Sequence, residues 1–192
     1  MQERGFEDSV RTRLILSGIG ELCEHGISDF SLRRVALAAE VSCAAPYRHF
    51  KDKDELILEI IRYIFSKWQL LSSEIESIYK ASTHKLVVEL ATANVAFWAA
   101  NGNFRSVLML EAGEDAARGA NAELRLFDEP MLSAISAFAD ERSLNAEERA
   151  SLEFFVTSLI YGTVMLITTG KISDTATALR MVKTTLERTL SL

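Results

Sequence analysis

Between residues 31 and 56 the chain reads SLRRVALAAEVSCAAPYRHFKDKDEL, and its polar side chains are of the kinds that hold phosphate oxygens. Arg33, Arg48, His49 and Lys53 supply cations or N–H donors, and the Tyr47 hydroxyl can donate to an anionic oxygen. Ser42, Cys43, Ala44 and Ala45 are small enough to let a helix end approach base edges, with apolar contact to thymine methyls as their chemistry. They read bases poorly through hydrogen bonds, so Arg33 and Arg48 are the stronger contacts. The sequence offers no nucleophile–base pair, metal-ligand spacing or glycine-rich phosphate cradle. His49 is therefore a phosphate donor rather than a catalytic base. The chemistry is contact, not catalysis.

These side chains need a scaffold that aims them at one surface. Leu32, Val35, Ala36 and Ala39 recur at helical spacing and give one short helix an apolar stripe. Ser31 stands at its N-cap position and is also counted among the DNA contacts, and Ser42 is read as the cap of a second helix running through Tyr47 to Phe50. Pro46 falls in the first turn of that helix, where a missing N–H costs least. Two short helices joined this tightly must cross steeply, the helix-turn-helix arrangement that sets its second helix in the DNA major groove. Phe50 is assigned to the core of this head. Lys53 opens a fourth helix, where its charge adds to the helix's own positive end.

Ala36, Ala39, Val41, Ser42, Tyr47, His49, Phe50, Lys53 and Leu56 together resemble the DNA-binding signature of the TetR family of transcriptional regulators. The likeness covers roughly the first 57 residues. Its signature is long and fixed in spacing; the rest of the chain matches only in length and helical character. The family usually carries Gly between the two helices, where this chain has Glu40. A left-handed conformation there costs a non-Gly residue about 1–2 kcal/mol, so the turn is expected to be strained or differently shaped. The resemblance implies a dimer on double-stranded DNA and a small-molecule pocket among the body helices.

The chain has 192 residues, two prolines and nine glycines, and is 48% hydrophobic. That composition points to an all-α fold with about nine helices. The expected division is a helix-turn-helix head at residues 1–54 and a ligand-binding and dimerisation body at residues 55–192. The net charge of −6 conflicts with DNA binding until its distribution is considered. Residues 30–53 carry Arg33, Arg34, Arg48, Lys51 and Lys53 against Glu40 and Asp52, a local excess of three positive charges. Phosphates respond to that patch, because charge is felt over a Debye length of roughly 8 Å. Cys23 and Cys43 are too few for a disulfide framework, which fits a reduced, cytoplasmic protein. No cofactor or metal is expected. The N-terminus lacks an apolar signal core, and the most apolar run, residues 154–167, falls short of the roughly 20 residues a membrane span needs. No membrane partner is expected.

Helices are predicted over residues 9–25, 85–100, 104–112, 121–140, 145–169 and 173–190, besides the two short ones and a long fourth helix. Pro130 is expected to interrupt or kink the 121–140 helix, and residues 113–121 are read as the most flexible loop. The fourth helix ties head to body without a linker. Aromatics on several body helices are each most simply core, but together such a set can line an apolar pocket. Trp68, Phe97, Trp98, Met109 and Tyr161 are the candidate lining for an apolar or aromatic effector. Glu111, Glu114 and Asp115 offer carboxylates nearby, with a solvated loop as the plainer reading. The last two helices are expected to pair with their symmetry mates through Leu152, Phe155, Leu159, Val164, Leu166, Leu179, Val182, Leu186 and Leu190, with close packing at Gly162.

The expectation is a ligand-responsive, non-enzymatic DNA-binding regulator, a repressor acting on a palindromic operator as a homodimer. Its rival is a helical small-molecule-binding or protein-interaction module that has lost DNA binding.

Overall fold

The computed structural model describes residues 9–101 and 114–191, and of residues 114–126 the backbone alone. The described residues form eight helices: α1 Val10–His25, α2 Leu32–Ala38, α3 Pro46–His49, α4 Lys53–Tyr79, α5 Thr83–Ala100, α6 Glu114–Glu141, α7 Ala146–Thr168 and α8 Thr175–Leu190. Eight of the nine expected helices thus fall among the described residues. The predicted helix at 104–112 lies outside the described residues.

Local chemistry explains most of the ends. Ser9 caps α1 by accepting the Thr12 N–H at 3.1 Å, and Gly26 stops it at φ 68°, donating to the Leu22 carbonyl. The Asp52 carboxylate accepts the Glu55 N–H at 2.9 Å at the start of α4. Asn145 and Glu148 form a reciprocal capping box on α7, and Asp174 caps α8.

Two corrections concern α6. The expected loop at 113–121 is helical from Glu114 onward. Ala116, Ala117 and Ala120 are the strongest helix formers, and the lone Gly119 costs only about 1 kcal/mol against them. Nor does Pro130 interrupt the helix, which continues through it. Pro130 removes one donor from that turn, and the Phe127 carbonyl in the same turn accepts the Trp68 indole N–H at 3.0 Å.

The chain divides into two compact units, with the first division inside α4 after Ser66. In one, Leu14, Ile15, Leu22, Val35, Phe50 and Ile60 are buried. Gly18 lets α1 approach α4 closely, since a Cβ there would come within 2.6 Å of Ile60 Cδ1. Glu21, buried on α1, accepts the Ser31 N–H at 2.9 Å and Arg34 Nε at 2.8 Å, tying α1 to the start of α2. In the other unit α5 packs against both α7 and α8, which also pack on each other. Val87, Leu90, Ile135, Val156, Val182 and Leu186 lie in that core.

Candidate nucleic-acid interface and body sites

The α2–α3 connection is closed by backbone hydrogen bonds. The Glu40 N–H donates to the Leu37 carbonyl at 3.1 Å and the Val41 N–H to the Ala36 carbonyl at 3.0 Å. That is the Schellman pattern, and it puts Glu40 at φ 54°. The position that Gly would favour is thus left-handed, and Glu40 carries the strain of a Cβ there.

The second helix is shorter than its sequence implied. Residues 42–45 form a turn in which the Ser42 carbonyl accepts the Ala45 N–H at 2.8 Å, and α3 begins only at Pro46. Ser42 is therefore not its cap; Ala45 holds that position and has no side chain to offer. Ser42, Cys43 and Ala44 are exposed on the turn, whereas Ala45 is buried and faces inward. The physical reason is Pro46, which has no N–H to give, so a tight turn precedes the helix.

Tyr47, Arg48 and His49 follow one another on the exposed side of α3, and Lys53, also exposed, is the first residue of α4. Tyr47 is 65% exposed although it is a large aromatic. Phe50, next in sequence to His49, is buried, and the two rings lie 6.3 Å apart. Arg33 is exposed on α2. Ser31 is half-buried and spends its hydroxyl capping α2, accepting the Arg34 N–H at 3.4 Å. Arg34 is also engaged, in ion pairs with Glu21 at 2.6 Å and Asp29 at 3.3 Å. Its charge is compensated within the head, so the patch rests on Arg33, Arg48, Lys51 and Lys53.

In the body, three of the five predicted lining residues come together. Trp68 stacks on Phe127 at 5.1 Å and meets Phe97 at 5.6 Å, while Trp98 lies 4.8 Å from Phe127 and 5.6 Å from Phe97. All four rings are buried. Phe127 completes the cluster although its sequence neighbourhood gives no sign of it; the α6 register does. Tyr161 is elsewhere. It lines an open groove of about 460 Å³ with Leu132, Phe154 and Thr157, and its hydroxyl donates to Asp128 at 3.4 Å. Burial first, then the Asp128 charge, pushes that phenol up to about 12. Met109 and Glu111 lie outside the described residues, as do the side chains of Glu114 and Asp115.

The surface of α7 also differs from expectation. Val164, Val182, Leu186 and Leu190 are buried within the chain, and Leu152, Phe155, Leu159 and Leu179 are half-buried. Leu166, of the expected set, is uncovered, as are Phe154, Tyr161 and Met165 on α7 and Met181 on α8, with Phe154 75% exposed. A helix apolar on several sides buries only the face it turns to its neighbours, and α5 and α8 take that face. A Cβ added at Gly162 would meet nothing within 4 Å. At 23 residues α7 is longer than the apolar run within it, and by length and composition alone it could cross a membrane; 22% of its apolar window is buried.

The profile of the family described as bacterial regulatory proteins, tetR family, matches residues 15–60, the stretch from α1 to the first turns of α4. Comparison with curated protein sequences gives no match. Among solved structures, the chain is similar to a Clostridium perfringens protein assigned as a fatty acid metabolism regulator, with TM-score 0.79 and 13% identity over 92% of this chain and 97% of that one. It resembles a Rhodococcus sp. RHA1 protein of unknown function, with TM-score 0.77 and 18% identity over the whole of both chains. The transcriptional regulator FadR from Bacillus subtilis, solved in complex with stearoyl-CoA, gives TM-score 0.74 and 15% identity over 91% of this chain and 96% of that one. At such identities these likenesses establish the fold. The likeness to the tetR family thus falls on residues 15–60, which hold the helix-turn-helix and its exposed, basic α3, and the solved structures share the fold of the chain.

Proposed function

We propose that the protein is a cytoplasmic repressor that binds a palindromic operator as a homodimer and changes its operator affinity when an apolar or aromatic small molecule enters the body. The observation that carries the DNA half is the solvent-facing run Tyr47-Arg48-His49 followed by Lys53 at a helix N-terminus. Tyr47 and Lys53 hold phosphates and fix register, Arg48 and Arg33 reach further, and the turn residues Ser42, Cys43 and Ala44 approach the bases. On this reading the DNA-binding domain is residues 1–54 and the sensing and dimerising body residues 55–192.

Dimerisation is assigned to the uncovered face of α7 with Met181 of α8. Phe154, Ser158, Tyr161 and Met165 recur at i, i+4, i+7 and i+11, one stripe along the helix, and Gly162 beside it leaves room for a facing backbone. A second copy suits this stripe because two-fold packing lets one surface cover itself. A membrane is the competing occupant.

The effector is assigned to the Trp68, Phe97, Trp98 and Phe127 cluster. Its rings present apolar surface to an alkyl chain or aromatic ring once they part. The Bacillus subtilis protein in complex with stearoyl-CoA makes that compound the first to try. Helix α4 carries both Lys53 and Trp68 without a break, so a shift at the cluster reaches the DNA-binding end mechanically.

Selection from random duplexes should enrich an inverted repeat whose half-sites lie about one turn apart, roughly 34–36 Å. Absence of any enriched palindrome would overturn the DNA reading. Calorimetric titration with stearoyl-CoA, with and without operator, tests the switch. A coupling of about 1–3 kcal/mol makes the two affinities differ roughly 5–150-fold, and by linkage operator affinity changes by the same factor. Equal affinities in the two titrations would separate binding of that compound from control of DNA.

A further inference from the structure

The start of α1 holds a cluster that phosphate contact does not explain. The Arg11 guanidinium carbon lies 5.4 Å from the centre of the Phe50 ring, and Arg11 Nη2 donates to Glu59 on α4. The other Glu59 oxygen accepts from Arg62 Nη1 at 2.9 Å. Burial works against the charge on Glu59, but the hydrogen bonds from Arg11 and then Arg62 outweigh it and hold the carboxyl below its ordinary range. Glu59 is thus an anionic anchor between two arginines.

What this anchor steadies is the weakest element of the head. Helix α3 is four residues long and has no side-chain cap. A single turn fixes several backbone angles for very few hydrogen bonds and does not hold its shape alone. Its last hydrogen bond runs from the Phe50 N–H to the Pro46 carbonyl at 2.8 Å, so the direction of α3 follows the seat of Phe50. Arg11 lies over one face of that seat.

We propose that Arg11 is a positioning residue for DNA binding: clamped by Glu59, its guanidinium holds the Phe50 ring and thereby aims α3. This rests on the reading that α3 meets DNA. The rival role is direct, since Arg11 is half-exposed and a phosphate would also attract it. Glu59 separates the two. If Arg11 positions, removing the Glu59 charge loosens the clamp and weakens binding. If Arg11 is a phosphate donor, the same change frees the guanidinium and binding holds or tightens.

The experiment uses the full-length chain as wild type, Arg11→Ala, Glu59→Gln and the double variant. Operator affinity is measured across salt concentrations, and amide hydrogen exchange is followed without DNA. Each single change should weaken binding about 5–10-fold, the range of a cation–π contact with its ion pair. The salt slope should stay unchanged, and the double variant should be no worse than Arg11→Ala, because the two residues act as one unit. Without DNA, the Arg48 and Phe50 amides should exchange faster in both single variants, while the α1 amides keep their protection. Unaltered exchange at Arg48 and Phe50 overturns the proposal whether or not an operator has been found. So does a Glu59→Gln protein that binds as tightly as wild type while Arg11→Ala loses about one unit of salt slope. Failure of the wild type to select any operator defeats the DNA reading instead, and the exchange data still judge the clamp.

Discussion

Tyr47 on α3 and Phe154 on α7 are both aromatic residues left largely in water, 65% and 75% exposed. Their neighbours differ. Tyr47 is followed by Arg48 and His49, with Lys51 and Lys53 close behind, whereas Phe154 shares its helix face with Tyr161 and Met165. An aromatic ring among cations suits a polyanion, because the charges draw phosphate and the hydroxyl can bond it. An aromatic ring among apolar side chains suits another protein surface, where contact removes all of them from water together. Both rings are exposed, and on the proposed reading the company each keeps is what separates a DNA contact from a dimer contact.

The largest effect should come from neither exposed ring but from Phe50, three residues beyond Tyr47. Phe50→Ala should destabilise the head by about 3–5 kcal/mol, read by chemical denaturation, as truncation of a buried aromatic does. A small loss would mean that α3 is held by something other than its core anchor.

Next comes the apolar face. Phe154→Asp should raise the dimer dissociation constant by about 30-fold or more, the scale of a buried aromatic anchor worth at least 2 kcal/mol. Sedimentation across a concentration series measures this, and helical content should not change, because the side chain has little to lose within one chain. If the variant stays as dimeric as wild type, the face has another partner. Binding of wild-type protein, but not the variant, to neutral lipid vesicles would identify that partner as a membrane.

Smaller effects are expected at the basic surface. Tyr47→Phe removes one hydroxyl–phosphate bond and should cost about 1 kcal/mol of operator affinity without lowering the melting temperature. Lys53→Ala should cost a similar amount and reduce the salt slope by about one. A Tyr47→Phe protein that binds as well as wild type at every salt concentration would return Tyr47 to the class of incidental surface aromatics.

The smallest expected effect has the opposite sign. Glu40→Gly relieves a side chain at φ 54° and should stabilise the head by about 1 kcal/mol. Equal stability would show that the Glu40 side chain finds compensation in the turn.

Local chemistry made α1 and α7 legible. Ser9 and Gly26 bracket one, Asn145 and Glu148 open the other, and each acts within a turn of its own position. The same locality exposed the special backbone at Glu40, where one residue type is a poor fit to one angle. It did not reveal the start of α3, since a helix of one turn is set by what its ends pack against. Nor did it set Phe127, one of several body aromatics, beside Trp68, a place that follows from the register of α6 through Pro130. The helical stretch after Glu114 was hidden by its mixture of Gly and charge, although its alanines favour a helix.

The sequence by itself determined the all-helical class, the helix-turn-helix signature and the residues able to meet phosphate, because spacing along a helix and the chemistry of caps are local. Tertiary structure decided which of those residues remain available. It committed Arg34 to Glu21 and Asp29, turned Ala45 inward and left Tyr47 outside. It also chose the face of α7 that stays uncovered. From Phe154 onward that helix is apolar on most sides, so its sequence prefers no side there, and only the packing of α5 and α8 against it says which side is left.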